Sequence, residues 1–227
     1  MYKCEIHTLA WPNTDPRLVE AHTDVTTGMD LKVIYTLQQA DHGLWMDAVM
    51  SSSESDVVGF LDVDCIPTRR EAVDQAVEYA VKAQSFVGIA QVSNHIPPAS
   101  HIYAAPAFFF IWRKTWEQLG RPTFAATPHS DVAENVSYAA ELARIPYKTL
   151  FPLAYTKVPD EGAWRLHTYG SYGIGTYFQT GVYHLYQSRM QQNIDLFCKA
   201  CKTVQSQTHT VLPSDLGAHI EARTWNR

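Results

Sequence analysis

An apolar run, Val57-Val58-Gly59-Phe60-Leu61, leads directly into Asp62-Val63-Asp64 and then Cys65-Ile66-Pro67. A short stretch rich in Val and Leu and bounded by turn residues reads as a strand buried on both faces. Side chains alternate along a strand, so an extended chain through residues 57–67 points Asp62 and Asp64 the same way. Two like charges this close at the end of a buried strand need compensation, and a divalent cation is the usual answer. In open α/β sheets, ligands bind at the carboxyl ends of the strands. The plainer reading is that Asp-x-Asp closes a strand with turn-forming residues. The residues after the pair favour the functional reading. Pro67 precedes Thr68-Arg69-Arg70-Glu71, a capping-box sequence that announces a helix.

On either side of this stretch, strand and helix patterns alternate. Strands are expected over 3–9, 31–36 and 86–92, and helices over 16–26, 44–50 and 69–82. Asp41-His42-Gly43 reads as a turn or a helix start. Leu44, Ala48 and Met50 are expected to point inward, and residues 51–55 form a serine-rich loop. Ala72, Val73, Ala76, Val77 and Ala80 recur at helical spacing. Such alternation argues for a parallel sheet with helices packed on both faces. Beyond it come a loop over 93–98, a strand over 102–112 containing Phe108-Phe109-Phe110, and a short helix stopping at Gly120. A helix capped by Ser130 or Asp131 runs to about Ala143, followed by a strand over 147–151. Residues 170–181, rich in Gly, Tyr and Ser, are a candidate lid, and a last helix covers 188–204. Neither internal repeats nor a domain boundary stand out.

The 227 residues are enough for one large α/β domain. A net charge of −5 does not advertise a nucleic-acid or anionic-membrane partner. No apolar run is long enough for a membrane helix, and the N-terminus enters a strand pattern without a signal peptide. Cys4, Cys65, Cys198 and Cys201 do not form a disulfide framework, so the chain reads as soluble and cytoplasmic. Cys198 and Cys201 form a CxxC, but they lie in an amphipathic pattern with Ile194, Phe197 and Val204. They read as packing positions and not as a metal or redox site.

Three later motifs complete a set with the acidic pair. Ser130-Asp131-Val132-Ala133-Glu134 opens a helix, Tyr147-Lys148-Thr149-Leu150 forms a strand, and Gly181-Val182-Tyr183-His184 supplies a late His. In this order, over residues 3–190, they resemble the GT-A fold of nucleotide-sugar-dependent glycosyltransferases, notably small metal-dependent bacterial and viral members. The resemblance implies one catalytic α/β domain over 1–227, with a mostly parallel sheet flanked by helices. Its nucleotide-binding half would cover about 1–92, and a half completing the acceptor and metal sites about 93–190. A C-terminal helix and tail would cover 188–227.

The implied reaction moves a hexosyl group from a nucleotide sugar, expected to be a UDP-sugar, to an acceptor hydroxyl with inversion. Asp64 is the implied direct metal ligand and His184 the second, while Asp62 lies near the ribose and reaches the metal through water. A site of oxygens plus one imidazole suits Mn²⁺, then Mg²⁺. Inversion needs a base for the acceptor hydroxyl. Asp131 is the choice, with Glu134 one helical turn on as runner-up. Each has a plainer reading: Asp131 as a helix cap, His184 as a His in an aromatic strand. For the nucleotide and its sugar the resemblance points to Thr8, Ala10, Trp11, His42, Gln91, Asn94 and His95. Arg165 and Arg189 are candidates to clamp the diphosphate, and His129 stands just before Asp131. The acceptor is a glycan or another hydroxyl-bearing molecule. A modified DNA base is disfavoured by the acidic charge.

Two other readings start from the same residues. Haloacid-dehalogenase-type phosphatases also carry Asp-x-Asp after an apolar strand, usually with Thr or Val four positions after the first Asp, where this chain has Ile66. A catalytically inactive module that binds sugar nucleotides is the non-enzymatic alternative.

Overall fold

The computed structural model describes residues 2–93 and 101–223. In chain order its elements begin with β1 (Cys4–Ala10), α1 (Pro16–Gly28), β2 (Val33–Leu37), α2 (His42–Ser52), β3 (Val57–Leu61), β4 (Cys65–Pro67) and α3 (Arg70–Lys82). Next come β5 (Phe86–Val92), β6 (Ile102–Trp112), α4 (Arg113–Gln118), α5 (Glu134–Ala143), β7 (Lys148–Leu150) and β8 (Pro152–Lys157). The last are β9 (Trp164–Arg165), β10 (Ser171–Tyr172), β11 (Ile174–Phe178), β12 (Val182–His184), α6 (Gln191–Ser206) and β13 (Ile220–Glu221). The chain forms two compact units. One comprises Met1–Pro12, Val33–Asp62 and Asp74–Leu150, the other Asn13–Lys32, Val63–Val73 and Phe151–Arg227.

The first unit is built on a six-stranded sheet in the order β2-β1-β3-β6-β5-β7. β1 runs parallel to β2 and β3, β5 runs parallel to β7, and β6 lies antiparallel between β3 and β5. This is the mixed α/β architecture expected, a largely parallel sheet flanked by helices. All five residues of β3 are buried, which is why the run carries no polar side chain. Its alternate residues Val58 and Phe60 join Phe86, Phe109 and Ile111. Trp45, Met46 and Val49 of α2, Trp116 of α4 and Val136 of α5 cover them. Burying one such side chain contributes about 1.5–3 kcal/mol.

Helix α2 departs from its expected phase. Leu44 and Ala48 are exposed, and Trp45, Met46, Val49 and Met50 are buried. The helix starts at His42 because Asp41 caps it, its Oδ1 accepting the Leu44 N–H at 2.9 Å. The first turn then lies flat on the loop after α4. A Cβ on Gly43 would sit 2.3 Å from Ala125 Cα and 2.5 Å from the Phe124 carbonyl oxygen. Gly43→Ala is therefore expected to cost about 1–3 kcal/mol, by overpacking against backbone. Urea unfolding reads this directly, and an unchanged midpoint would show that the loop yields.

The second unit holds an antiparallel sheet in the order β13-β8-β11-β12-β4, packed against α1 and α6. Its core joins Leu18 and Val25 of α1, Ile194, Phe197, Cys201 and Val204 of α6, and Ile66, Ile174, Tyr177 and Tyr183 of the strands. The CxxC falls in this apolar stripe as expected, with Cys201 buried and Cys198 half-buried. The 170–181 segment is not a lid. It forms β10 and β11, and all five β11 residues are buried, because its aromatic and β-branched side chains fill the core despite the glycines. Among the described residues no helix is long and apolar enough to cross a membrane.

Candidate functional site

The acidic pair does not sit on one strand. β3 ends at Leu61, residues 62–64 lead through a turn, and β4 begins at Cys65. Strand alternation therefore does not relate the two carboxylates, contrary to expectation. What fixes Asp64 is the pairing of β4 with β12, which sets His184 opposite Cys65. The Leu185 N–H then donates to the Asp64 carbonyl at 2.9 Å. This register brings His184 Nε2 to 3.4 Å from Asp64 Oδ1, with both side chains largely buried. The Tyr186 ring packs on the imidazole, centroids 4.1 Å apart.

In the first unit, Asp62 comes directly after β3, its N–H donating to the Ala107 carbonyl at 2.9 Å. Its Oδ1 lies 3.3 Å from Nε2 of His42, the first residue of α2. Thr8 and Ala10, expected at the nucleotide, are buried, and the Thr8 hydroxyl donates to the Leu61 carbonyl at 2.7 Å. That bond ties β1 to β3. Trp11 is half-buried just past β1. Gln91 donates to the Tyr103 hydroxyl at 3.1 Å. Asn94 and His95 lie outside the described residues. His129, Arg165 and Arg189 are exposed.

Helix α5 starts at Glu134, later than expected, and neither Ser130 nor Asp131 caps it. Ala133, at φ 68°, separates them from the helix. Asp131 is half-buried, and its Oδ1 accepts the Val132 N–H at 2.8 Å within the preceding turn. Glu134, only 2% exposed, reaches back instead, its Oε2 accepting the Asp131 N–H at 2.7 Å. The capping box at residues 68–71 is likewise absent: the Thr68 hydroxyl donates to the Gly181 carbonyl at 3.1 Å, and α3 begins at Arg70.

No protein-family model and no curated protein sequence matches the chain. Solved structures do align with it. The mannosyltransferase PcManGT from Pyrobaculum calidifontis, in complex with GDP-Man and Mn²⁺, is 14% identical at a TM-score of 0.47, covering 65% of this chain and 54% of that one. This chain thus spans about half the mannosyltransferase's length. Protein A197 from STIV is 16% identical at a TM-score of 0.42, covering 61% and 76% respectively. Glucosyl-3-phosphoglycerate synthase from Mycobacterium tuberculosis, in complex with Mn²⁺, UDP and glucosyl-3-phosphoglycerate, is 8% identical at 0.46, covering 96% and 81%. Likeness at this level leaves the fold to the strand order and the chemistry to the residues.

Those residues can hold a cation. Burial pushes the Asp64 carboxyl up, but hydrogen bonds from His184 and Ser188 more than offset it and keep the group below its ordinary value. Asp64 is therefore ionised at neutral pH. His184 Nδ1 is buried with no hydrogen-bond partner among the described residues. Asp64 and His184 each offer a ligand atom, and a carboxylate oxygen with an imidazole nitrogen fits Mn²⁺. Two neighbours of Asp64 were not foreseen. Ser188 had no sequence signal. His22 is fully buried on α1, where it shares the Leu18/Val25 stripe by helical spacing. Burial pushes its imidazole down to about 4 against the pull of Asp64 and the Cys65 backbone, so it stays neutral.

Proposed function

We propose that the chain is a metal-dependent glycosyltransferase that moves a hexosyl group from a nucleotide sugar to an acceptor hydroxyl, with inversion. The observation that carries this reading is the Asp64–His184 pair, an ionised carboxylate 3.4 Å from a buried imidazole directly after a buried strand and its acidic turn. Asp62 would complete the ligand set. Only Val63 separates it from Asp64, so their Cα atoms stay within about 7 Å. A divalent cation held by Asp64 and His184 would supply the positive charge that a diphosphate leaving group needs as its own charge grows.

The chain's own residues do the rest. Asp131 takes the proton of the acceptor hydroxyl as the new oxygen–carbon bond forms and the bond from sugar carbon to phosphate oxygen breaks. The nucleoside diphosphate leaves with that electron pair. The donor is a UDP-sugar in this reading, and His42 and Trp11 flank the nucleotide. The acceptor is a glycan or another hydroxyl-bearing molecule.

A thermal-shift screen of UDP, GDP, CDP, TDP and their sugars, with and without Mn²⁺, tests the proposal, since a ligand of the native state raises the melting temperature. A rise with one nucleotide that requires Mn²⁺ is expected. No rise with any of them, together with hydrolysis of p-nitrophenyl phosphate, would replace this reading with the phosphatase one.

A further inference from the structure

His101, immediately before β6, is held on both ring nitrogens. Its Nδ1 lies 2.8 Å from Glu134 Oε1 and its Nε2 2.9 Å from Glu141 Oε1. Only the imidazolium carries two N–H donors, so this arrangement calls for protonated His101. Glu134, Tyr138 and Glu141 share one face of α5 by their spacing. The Tyr138 ring stacks on His101, centroids 4.0 Å apart and planes within 14°. The Tyr147 hydroxyl donates to Glu141 Oε1 at 2.6 Å, and Tyr103 of β6 stacks more loosely at 6.3 Å. Among the described residues these are the titratable groups that face His101. Burial pushes His101 down, but the two carboxylates outweigh it and hold it above its ordinary value of 6.5.

The second oxygen of Glu134 accepts the Asp131 N–H at 2.7 Å. A continuous path therefore runs from the ring of His101, through a buried carboxylate, to the backbone of the residue assigned as base. Resting on the glycosyltransferase reading, we propose that His101 is a positioning residue that fixes, through Glu134, the turn carrying Asp131. Glu134 is almost wholly buried with both oxygens engaged, so it serves as the link and not as a second base. When His101 loses a proton it keeps one donor for two carboxylates, and one of them gives up its hydrogen bond. The turn is then held less tightly.

Amide hydrogen exchange on the full chain tests this without any substrate. The protection factor at Asp131 is expected to fall about tenfold or more in wild type as pH rises through the raised His101 value. His101→Gln should show that loss already at pH 6. Glu141→Gln alters the partly exposed partner and should fold even where His101→Gln does not. It should move the loss to lower pH. Protection at Asp131 that is independent of pH and unchanged in Glu141→Gln overturns the proposal.

Turnover separates it from the reading it rests on. His101→Gln should lower kcat about tenfold with the donor KM unchanged, and Glu141→Gln should shift the basic limb of the kcat profile to lower pH. Loss of protection in a protein that transfers from no nucleotide sugar would support the positioning network and reject glycosyl transfer.

Discussion

Asp64→Ala is expected to abolish Mn²⁺-dependent stabilisation by nucleotides and to lower kcat/KM at least about a hundredfold. Loss of a supporting residue around a metal already costs 10–100-fold in affinity, and Asp64 is assigned as a direct ligand. The fold should survive. The backbone of Asp64 is held by the Leu185 N–H, which the substitution leaves in place. His184 and Ser188 each lose a partner, at about 1–3 kcal/mol for each group left buried and unsatisfied. Asp64→Asn is the sharper control, because it keeps shape and a hydrogen-bond acceptor and removes only the charge. The measurement is a melting-temperature titration of both variants with Mn²⁺ and the nucleotide that stabilises wild type. A shift of wild-type size in Asp64→Asn would mean that charge at this position is not what holds the cation.

The cluster of His101, Glu134 and Glu141 sets a pH window that needs no ligand to observe. His101 sits above 6.5, so its contribution is fully present below that value and fades as pH rises through the raised one. Burial pushes the Glu141 carboxyl up, but Tyr147 and His101 pull it below its ordinary 4.5. Its contribution is present above 4.5 and fades as pH falls through the lowered value. The cluster thus supports α5 most strongly between about pH 4.5 and 6.5.

Local patterns carried most of the fold. β5 and β6 begin and end where the apolar runs do, and α3 arises from Ala72, Val73, Ala76 and Ala80 at helical spacing. Three departures share one cause, a tertiary partner competing with a local rule. Thr68 looks like a helix cap, yet the Gly181 carbonyl takes its hydroxyl. Residues 170–181 look loose because glycine is frequent, but Ile174, Tyr177 and Phe178 are core. Asp62 and Asp64 look like one strand end, whereas the chain changes sheets between them. His184 was legible as a late His in an aromatic strand, and only the β4–β12 register shows what it meets. His101 gave no signal, since its partners Glu134 and Glu141 stand more than thirty residues away in sequence.

Asp131→Asn is expected to leave nucleotide and metal binding within about twofold of wild type and to lower transfer by about 10²–10⁴, the range that general bases supply. Asparagine retains a side-chain oxygen to accept the Val132 N–H, so the turn before α5 should keep its form. What it cannot do is take the acceptor's proton. Glu134→Gln separates the two acids at this helix start. With Glu134 2% exposed between His101 and the Asp131 N–H, its substitution should lower the melting temperature as well as turnover. The deciding comparison is single-turnover transfer against melting temperature for both variants. Full transfer by Asp131→Asn would remove Asp131 from the role of base. Loss confined to Glu134→Gln at unchanged melting temperature would hand that role to Glu134.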